Sequence, residues 1–194
     1  MKLKKILLAF ATFAFVLSAL PQKSVAQTSF GASYEIREKD PTKGYGARIE
    51  SRIFKGLPVV QLSLRAHFSY FNDKNNLTTD GAEYSADITN YDYGLAAVGG
   101  VEIGPIAPYV GLGLGASTLD VTREDLQNAP GAPSDQSSKD SSIYWNGFVG
   151  AKITALPIQP FVEYRLKEIS NYKDELSDIQ NSDGRMIFGV AIEF

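Results

Sequence analysis

The sequence predicts an all-β chain, an eight-stranded antiparallel up-and-down transmembrane β-barrel. Three observations lead there. Between turns, apolar residues alternate with polar ones at period two. Short proline-bearing turns alternate with long polar connections. The last ten residues, 185–194, form one more such strand, with Met186, Phe188, Val190, Ile192 and Phe194 on a single face. In a soluble protein that strand would leave an apolar edge open to aggregation, whereas in a closed barrel it completes the sheet.

The N-terminus offers a route to a membrane. Lys2, Lys4 and Lys5 precede an apolar run of 15 residues, 6–20, that Pro21 breaks. Small residues at Ser24 and Ala26 place signal-peptide cleavage between Ala26 and Gln27. The expected division is a signal peptide over 1–26 and a barrel domain over 27–194. An anchoring helix is disfavoured, because a spanning helix needs about 20 apolar residues. There is no cysteine, which excludes a lipid-modified N-terminal Cys and a disulfide framework.

Removing Lys2, Lys4, Lys5 and Lys23 takes the net charge from −3 to −7, so no nucleic-acid partner is expected. No segment of 27–194 approaches the apolar length of a membrane helix. With 17 Gly, 10 Tyr and 11 Phe, the composition suits strands and turns.

The strands fall at 28–38, 44–54, 59–71, 88–103, 108–119, 142–154, 160–170 and 185–194. Most have the roughly 9 to 11 residues that a tilted strand needs to cross a bilayer. Turns with proline follow strands 2, 4 and 6, around Pro58, Pro105 and Pro157. The phrase Pro105-Ile106-Ala107-Pro108-Tyr109-Val110 returns as Pro157-Ile158-Gln159-Pro160-Phe161-Val162, marking a repeat of two strands and a loop. The stretch 39–43 is short, and the polar segments 72–87, 120–141 and 171–184 read as long extracellular loops. An even strand number puts both ends of the domain in the periplasm.

The alternative for a closed sheet of this size is a lipocalin-like soluble barrel, apolar inside and polar outside. The signal peptide, the terminal Phe and the loop asymmetry favour the inverse. Aromatic placement agrees, with Tyr70, Tyr91, Tyr93 and Trp145 near the loop ends and Phe30 and Phe194 near the turn ends. In that arrangement Glu35, Arg37, Arg48, Glu50, Arg52, Arg65, Glu102, Lys152, Glu163, Arg165, Lys167 and Glu193 share lumenal rows, Arg185 beside them. Eight strands enclose an interior that side chains can fill. The charges are therefore expected to pair into a plug, with Gly111, Gly113 and Gly115 giving room to long side chains. A narrow pore is the competing expectation.

Pro-Tyr-Val-Gly-Leu-Gly-Leu-Gly at 108–115 and Gly-Val-Ala-Ile-Glu-Phe at 189–194 resemble the small outer-membrane β-barrels of Gram-negative bacteria, the OmpA/OmpX-like barrels. The resemblance covers 27–194 and includes no peptidoglycan-binding domain. It implies a bacterial outer-membrane location, lipid and lipopolysaccharide as neighbours, a monomer, and no cofactor. Phe188, Val190, Ile192 and Phe194 are similar to the C-terminal signal by which the barrel-assembly machinery recognises its clients. The resemblance does not fix a function; the expected one is non-enzymatic, through an unidentified partner of the extracellular loops in adhesion, recognition or envelope integrity.

One constellation suggests chemistry. His67-Phe68-Ser69 is similar to the His and Ser of lipid A 3-O-deacylases, where a Glu completes a triad. The resemblance would make His67 the base and Ser69 the nucleophile of a lipid A-modifying hydrolase. Tyr70 stands where that family commonly has Asn, and the alternation points both residues into the lumen, away from lipid. No metal site is expected from one His and no Cys. The loops are acidic, and their carboxylates could meet divalent cations bridging lipopolysaccharide phosphates.

Overall fold

The computed structural model describes residues 28–38, 41–54, 60–79, 82–125, 136–169 and 182–194. The signal peptide with its Ala26–Gln27 cleavage site lies outside them, as do the Pro58 turn and the acidic loop residues Asp135, Asp174, Glu175 and Asp178.

Eight strands pair with their sequence neighbours, and the last pairs with the first: β1 Thr28–Arg37, β2 Lys43–Phe54, β3 Val60–Thr79, β4 Ala82–Val101, β5 Ile106–Asp125, β6 Gln136–Ile153, β7 Ile158–Ile169 and β8 Ser182–Glu193. All pairs are antiparallel, and the seam runs from Ser29↔Glu193 to Arg37↔Arg185. Closure leaves no unpaired edge within the barrel wall, which a sheet in hydrocarbon requires.

The register fixes the barrel's dimensions. From Tyr34, one direction leads through Tyr45, Tyr70 and Tyr91 to Thr118. The other leads through Phe188, Val162 and Ala151 to Pro108, ten residues away on the same strand. Eight strands with a shear of ten tilt about 40° and enclose a radius of about 8 Å, measured to the backbone. Side chains from opposite walls can meet across such a lumen.

Alternation decides which rows face it. Leu64, Leu95, Leu112, Leu114, Ile143 and Leu166 are exposed on the outside, whereas Arg65, Asp92, Glu163 and Arg185 are buried. Water would select the reverse, so an apolar medium around this wall is the condition for the fold. At the β4–β5 turn, Gly104 has φ 60° as the first central residue of a two-residue hairpin. Ile103 and Ile106 exchange backbone bonds of 2.9 and 3.3 Å across it. That is the glycine position of a type II′ turn.

Four strands outrun the expectation. The segments 72–87 and 120–141, read as loops, are largely strand: β3 and β4 pair up to Thr79↔Ala82, and β5 and β6 up to Arg123↔Gln136. By contrast β2 leaves β3 at Gly44↔Phe71, and β6 meets β7 only from Tyr144↔Ile169. β3–β6 therefore rise beyond the barrel as a four-stranded sheet. Once both faces meet water, nothing selects apolar residues on one of them, so the period-two signal disappears while the ladder continues.

Candidate functional site

The lumen is where the sequence concentrates its chemistry, and the strands bring that chemistry together in two layers. In the layer nearer the end that carries the termini, Arg65 from β3 donates to Glu50 on β2 at 2.9 and 2.7 Å and to Glu163 on β7 at 2.5 Å. Arg165 holds the other oxygen of Glu163 at 3.1 and 2.6 Å. Tyr109 donates its hydroxyl to Glu163 at 3.0 Å and accepts from Arg48 at 3.2 Å. One carboxylate thus gathers groups from β2, β3, β5 and β7.

The second layer centres on Arg185. Its guanidinium donates to Glu35 at 3.2 Å, Asp92 at 2.7 Å and Asp183 at 2.9 Å. Lys167 completes Asp92 at 3.0 Å. Arg37 donates to Asn90 at 2.9 Å and to the carbonyl of Pro41 at 2.5 Å, so the fully buried Pro41 is drawn into the end opposite the termini. Buried charges need partners and hydrogen bonds to offset their lost hydration. Here each of these carboxylates has at least one cationic neighbour.

Aromatic rings pack against the cations of both layers. The Arg48 guanidinium lies 3.4 Å from the Phe161 ring centroid, and Arg65 lies 5.0 and 4.7 Å from Tyr109 and Phe148. Arg37 and Arg185 stand 4.2 and 5.0 Å from Phe71. These rings fit because the adjacent strand carries glycine. A Cβ at Gly111 would stand 2.2 Å from Phe148, at Gly115 2.5 Å from Tyr144, and at Gly150 2.5 Å from Tyr109.

The twelve charged residues read from the rows divide by depth. Glu35, Arg37, Arg48, Glu50, Arg65, Glu163, Arg165 and Lys167 are buried in the two layers. Arg52, Glu102, Lys152 and Glu193 stand at the mouth beside the termini, where Arg52 lies 3.5 Å from a Glu102 carboxylate that is 44% exposed. Gln61 also donates to Glu102, and Gln159 reaches Glu193 at 2.9 Å. Two spaces of about 10 Å³ lie among Glu50, Gln61, Ser63 and Lys152, each large enough for a single water.

Asp92, Asn90 and Asp183 are additions. Asp92 sits between Tyr91 and Tyr93, whose girdle role masked it, although it shares parity with Glu102 along β4. Asp183 falls within a segment read as loop. Phe188, Val190 and Ile192 project outward on β8, and they and Phe194, which follows it, are exposed.

His67 and Ser69 are brought to the lumen but not to each other. Nε2 of His67 lies 2.9 Å from the Tyr144 hydroxyl, and Ser69 donates to Glu35 at 2.9 Å. Ser69 is wholly buried, and Glu35 is itself bound by Arg185. The base beside the hydroxyl is this arginine-bound carboxylate rather than His67, and burial closes the hydroxyl off from lipid.

Comparison with known proteins places this geometry. No protein-family model and no curated protein matches the chain. Among solved structures, a major outer membrane protein of Thermus thermophilus aligns with a TM-score of 0.63 at 12% identity, over 88% of this chain and 100% of that one. Neisserial surface protein A aligns at 0.55 and 20% identity, over 87% of this chain and 97% of its own. Ail of Yersinia pestis, solved with the heparin analogue sucrose octasulfate, aligns at 0.51 and 15% identity over the same shares. The chain therefore has the fold of the small outer-membrane β-barrels. Within that fold it is an eight-stranded barrel with a charged, filled lumen and a tall sheet rising from the end opposite the termini.

Proposed function

We propose that the protein is a non-enzymatic barrel of the bacterial outer membrane, exported by the 1–26 signal peptide, that acts through its extracellular sheet. The filled lumen is the observation that carries this reading. Arg65 and Arg185 bridge opposite walls and obstruct the lumen, which favours placing specific activity at the surface. The terminal face of Phe188, Val190, Ile192 and Phe194 serves recognition by the barrel-assembly machinery. Lipid and lipopolysaccharide surround the wall, and the barrel works as a monomer.

The protruding sheet suits adhesion or recognition. Asn72 there donates to Asp87 and Thr89 at 2.7 and 2.9 Å, and Thr118 meets Ser141 at 2.9 Å. In the sequence of this sheet Asp73, Glu83, Asp87, Asp120, Glu124, Asp125 and Asp140 outnumber Lys74, Arg123 and Lys139, so a polyanion such as the ligand in the Ail structure is disfavoured. The edges of β3 above Phe71 and of β6 above Tyr144 have no partner strand among the described residues. A partner protein presenting an extended segment suits such edges.

Fractionation tests the location. The protein is expected in outer membranes, with a gel mobility that changes on boiling, and recovery as a soluble periplasmic monomer overturns the reading. Planar-bilayer recordings are expected to show no stable conductance. Ser69→Ala is expected to cost about 1 kcal/mol of stability, one hydrogen bond. Mass spectrometry should show the lipid A acyl pattern unchanged by that variant or by deletion of the gene. A change in acylation with the wild-type chain, lost in Ser69→Ala, would establish the hydrolase instead.

A further inference from the structure

The outer wall is not uniform. A groove of about 490 Å³ crosses β3–β6, lined by Leu62, Ala97, Gly99, Val110, Leu112 and Gly147. Its direction follows from the ladders. Leu62 pairs with Gly99 and Gly99 with Val110, while Ala97 pairs with Leu112 and Leu112 with Gly147. Leu62 is two residues inside the periplasmic end of β3, and Ile53, which also lines the groove, is the penultimate residue of β2. Gly147 lies six residues above the periplasmic end of β6, near the middle of a membrane-spanning strand. The groove therefore runs from the periplasmic rim to mid-membrane, the depth of one leaflet.

Interior packing does not account for its glycines. A Cβ at Gly99 would have only Leu62 within reach, at 3.8 Å, and one at Gly147 would meet Leu112 at 3.5 Å, ordinary contact. The lumenal Gly111, by contrast, would clash at 2.2 Å. Larger residues fit at 99 and 147, and their absence leaves the groove open between the ridges of Leu62 and of Val110 with Leu112.

We propose that this groove holds one acyl chain of a periplasmic-leaflet glycerophospholipid. The inference rests on the membrane reading above. The groove's exposed lining is overwhelmingly apolar, which excludes a headgroup or an aqueous solute. It faces the bilayer, where an unfilled groove forfeits dispersion contacts along its walls. It opens at the periplasmic rim, so a chain enters with its headgroup on that side and its end beside Gly147. An outer-leaflet lipid would approach from the opposite end.

The wall also supplies a reporter. Trp145, the single tryptophan of the chain, has a ring atom 3.9 Å from where a Gly147 Cβ would sit. It therefore stands at the inner end of the groove.

The test is native mass spectrometry of the barrel extracted from membranes in mild detergent and supplied with phosphatidylethanolamine. Wild type is expected to retain one phospholipid, Ala97→Leu and Gly99→Leu to lose it, and Ala32→Leu, on the outer face of β1, to keep it. In vesicles, phosphatidylethanolamine brominated at the chain end should quench Trp145 more than lipid brominated near the ester. Ala97→Leu should diminish that difference. Retention unaffected by Ala97→Leu and Gly99→Leu overturns the proposal. Retention of lipid A in place of phospholipid, or a dimer that these variants dissociate, overturns it equally. A wild-type chain without heat-modifiable mobility would defeat the membrane reading itself, whereas a folded barrel that carries no lipid defeats only this site.

Discussion

Replacing Arg65 with alanine is expected to destabilise the folded barrel by about 3–5 kcal/mol, the cost of breaking a buried pair from one side. Arg65 is almost completely buried and supplies the donors that hold Glu50 and link β3 to Glu163 on β7. Without it Glu50 loses its principal cation inside the lumen. Glu163 fares better, because Arg165 and Arg48 remain 2.6 and 3.5 Å away. The loss therefore lies mainly at Glu50, and adding Glu50→Gln to Arg65→Ala should recover a substantial part of it. A urea titration of the barrel in vesicles, monitored by Trp145 fluorescence, reads both variants. If Arg65→Ala unfolds within about 1 kcal/mol of wild type, water already solvates this layer and the plug is not dry. Arg65→Lys should fall between, since a single ammonium cannot reproduce a guanidinium that spans two carboxylates.

The same residues show what was legible in the chain and what was not. Where a strand crosses lipid, its two faces meet opposite environments, so every second residue reports orientation. The alternation of Leu62, Leu64, Ala66 and Phe68 with Gln61, Ser63, Arg65 and His67 therefore maps directly onto outside and inside. Above the membrane that contrast vanishes, and Asn72 to Thr79 reads as a loop although it is paired throughout. Membership of a lumenal row was likewise readable, but partnership was not. Glu163 and Arg65 are 98 residues apart in sequence, and only closure at a shear of ten sets them face to face. Asp92 was hidden for a different reason, since two tyrosines beside it carry a stronger interfacial signal. The interior rings Phe71, Tyr144, Phe148 and Phe161 were hidden because a lumenal row was expected to be polar. The glycines that receive them were visible, and their regular placement in β5 was the available clue.

Those glycines lead to the second large effect, at the closing seam. Gly189→Ala is expected to cost about 1–3 kcal/mol through overpacking and to lower the fraction of chains reaching the compact, heat-modifiable form. A Cβ at Gly189 would stand 2.3 Å from the Phe161 ring and 2.4 Å from the backbone oxygen of Ala32 on β1. The ring cannot readily withdraw, because the Arg48 guanidinium lies 3.4 Å from its centroid and is itself bonded to Tyr109. The oxygen belongs to the strand that β8 must pair with for the barrel to close, through Ala32↔Val190 and Ser33↔Gly189. Strain at this point therefore opposes closure as well as packing. Phe161→Leu should relieve part of it in the double variant, since only the ring half of the conflict is removed. Gly99→Ala, outside the wall with its nearest neighbour at 3.8 Å, should leave both the urea midpoint and the mobility shift unchanged. Equal behaviour of Gly189→Ala and Gly99→Ala would mean that the seam has slack, and that ring-into-glycine packing does not set how the barrel closes.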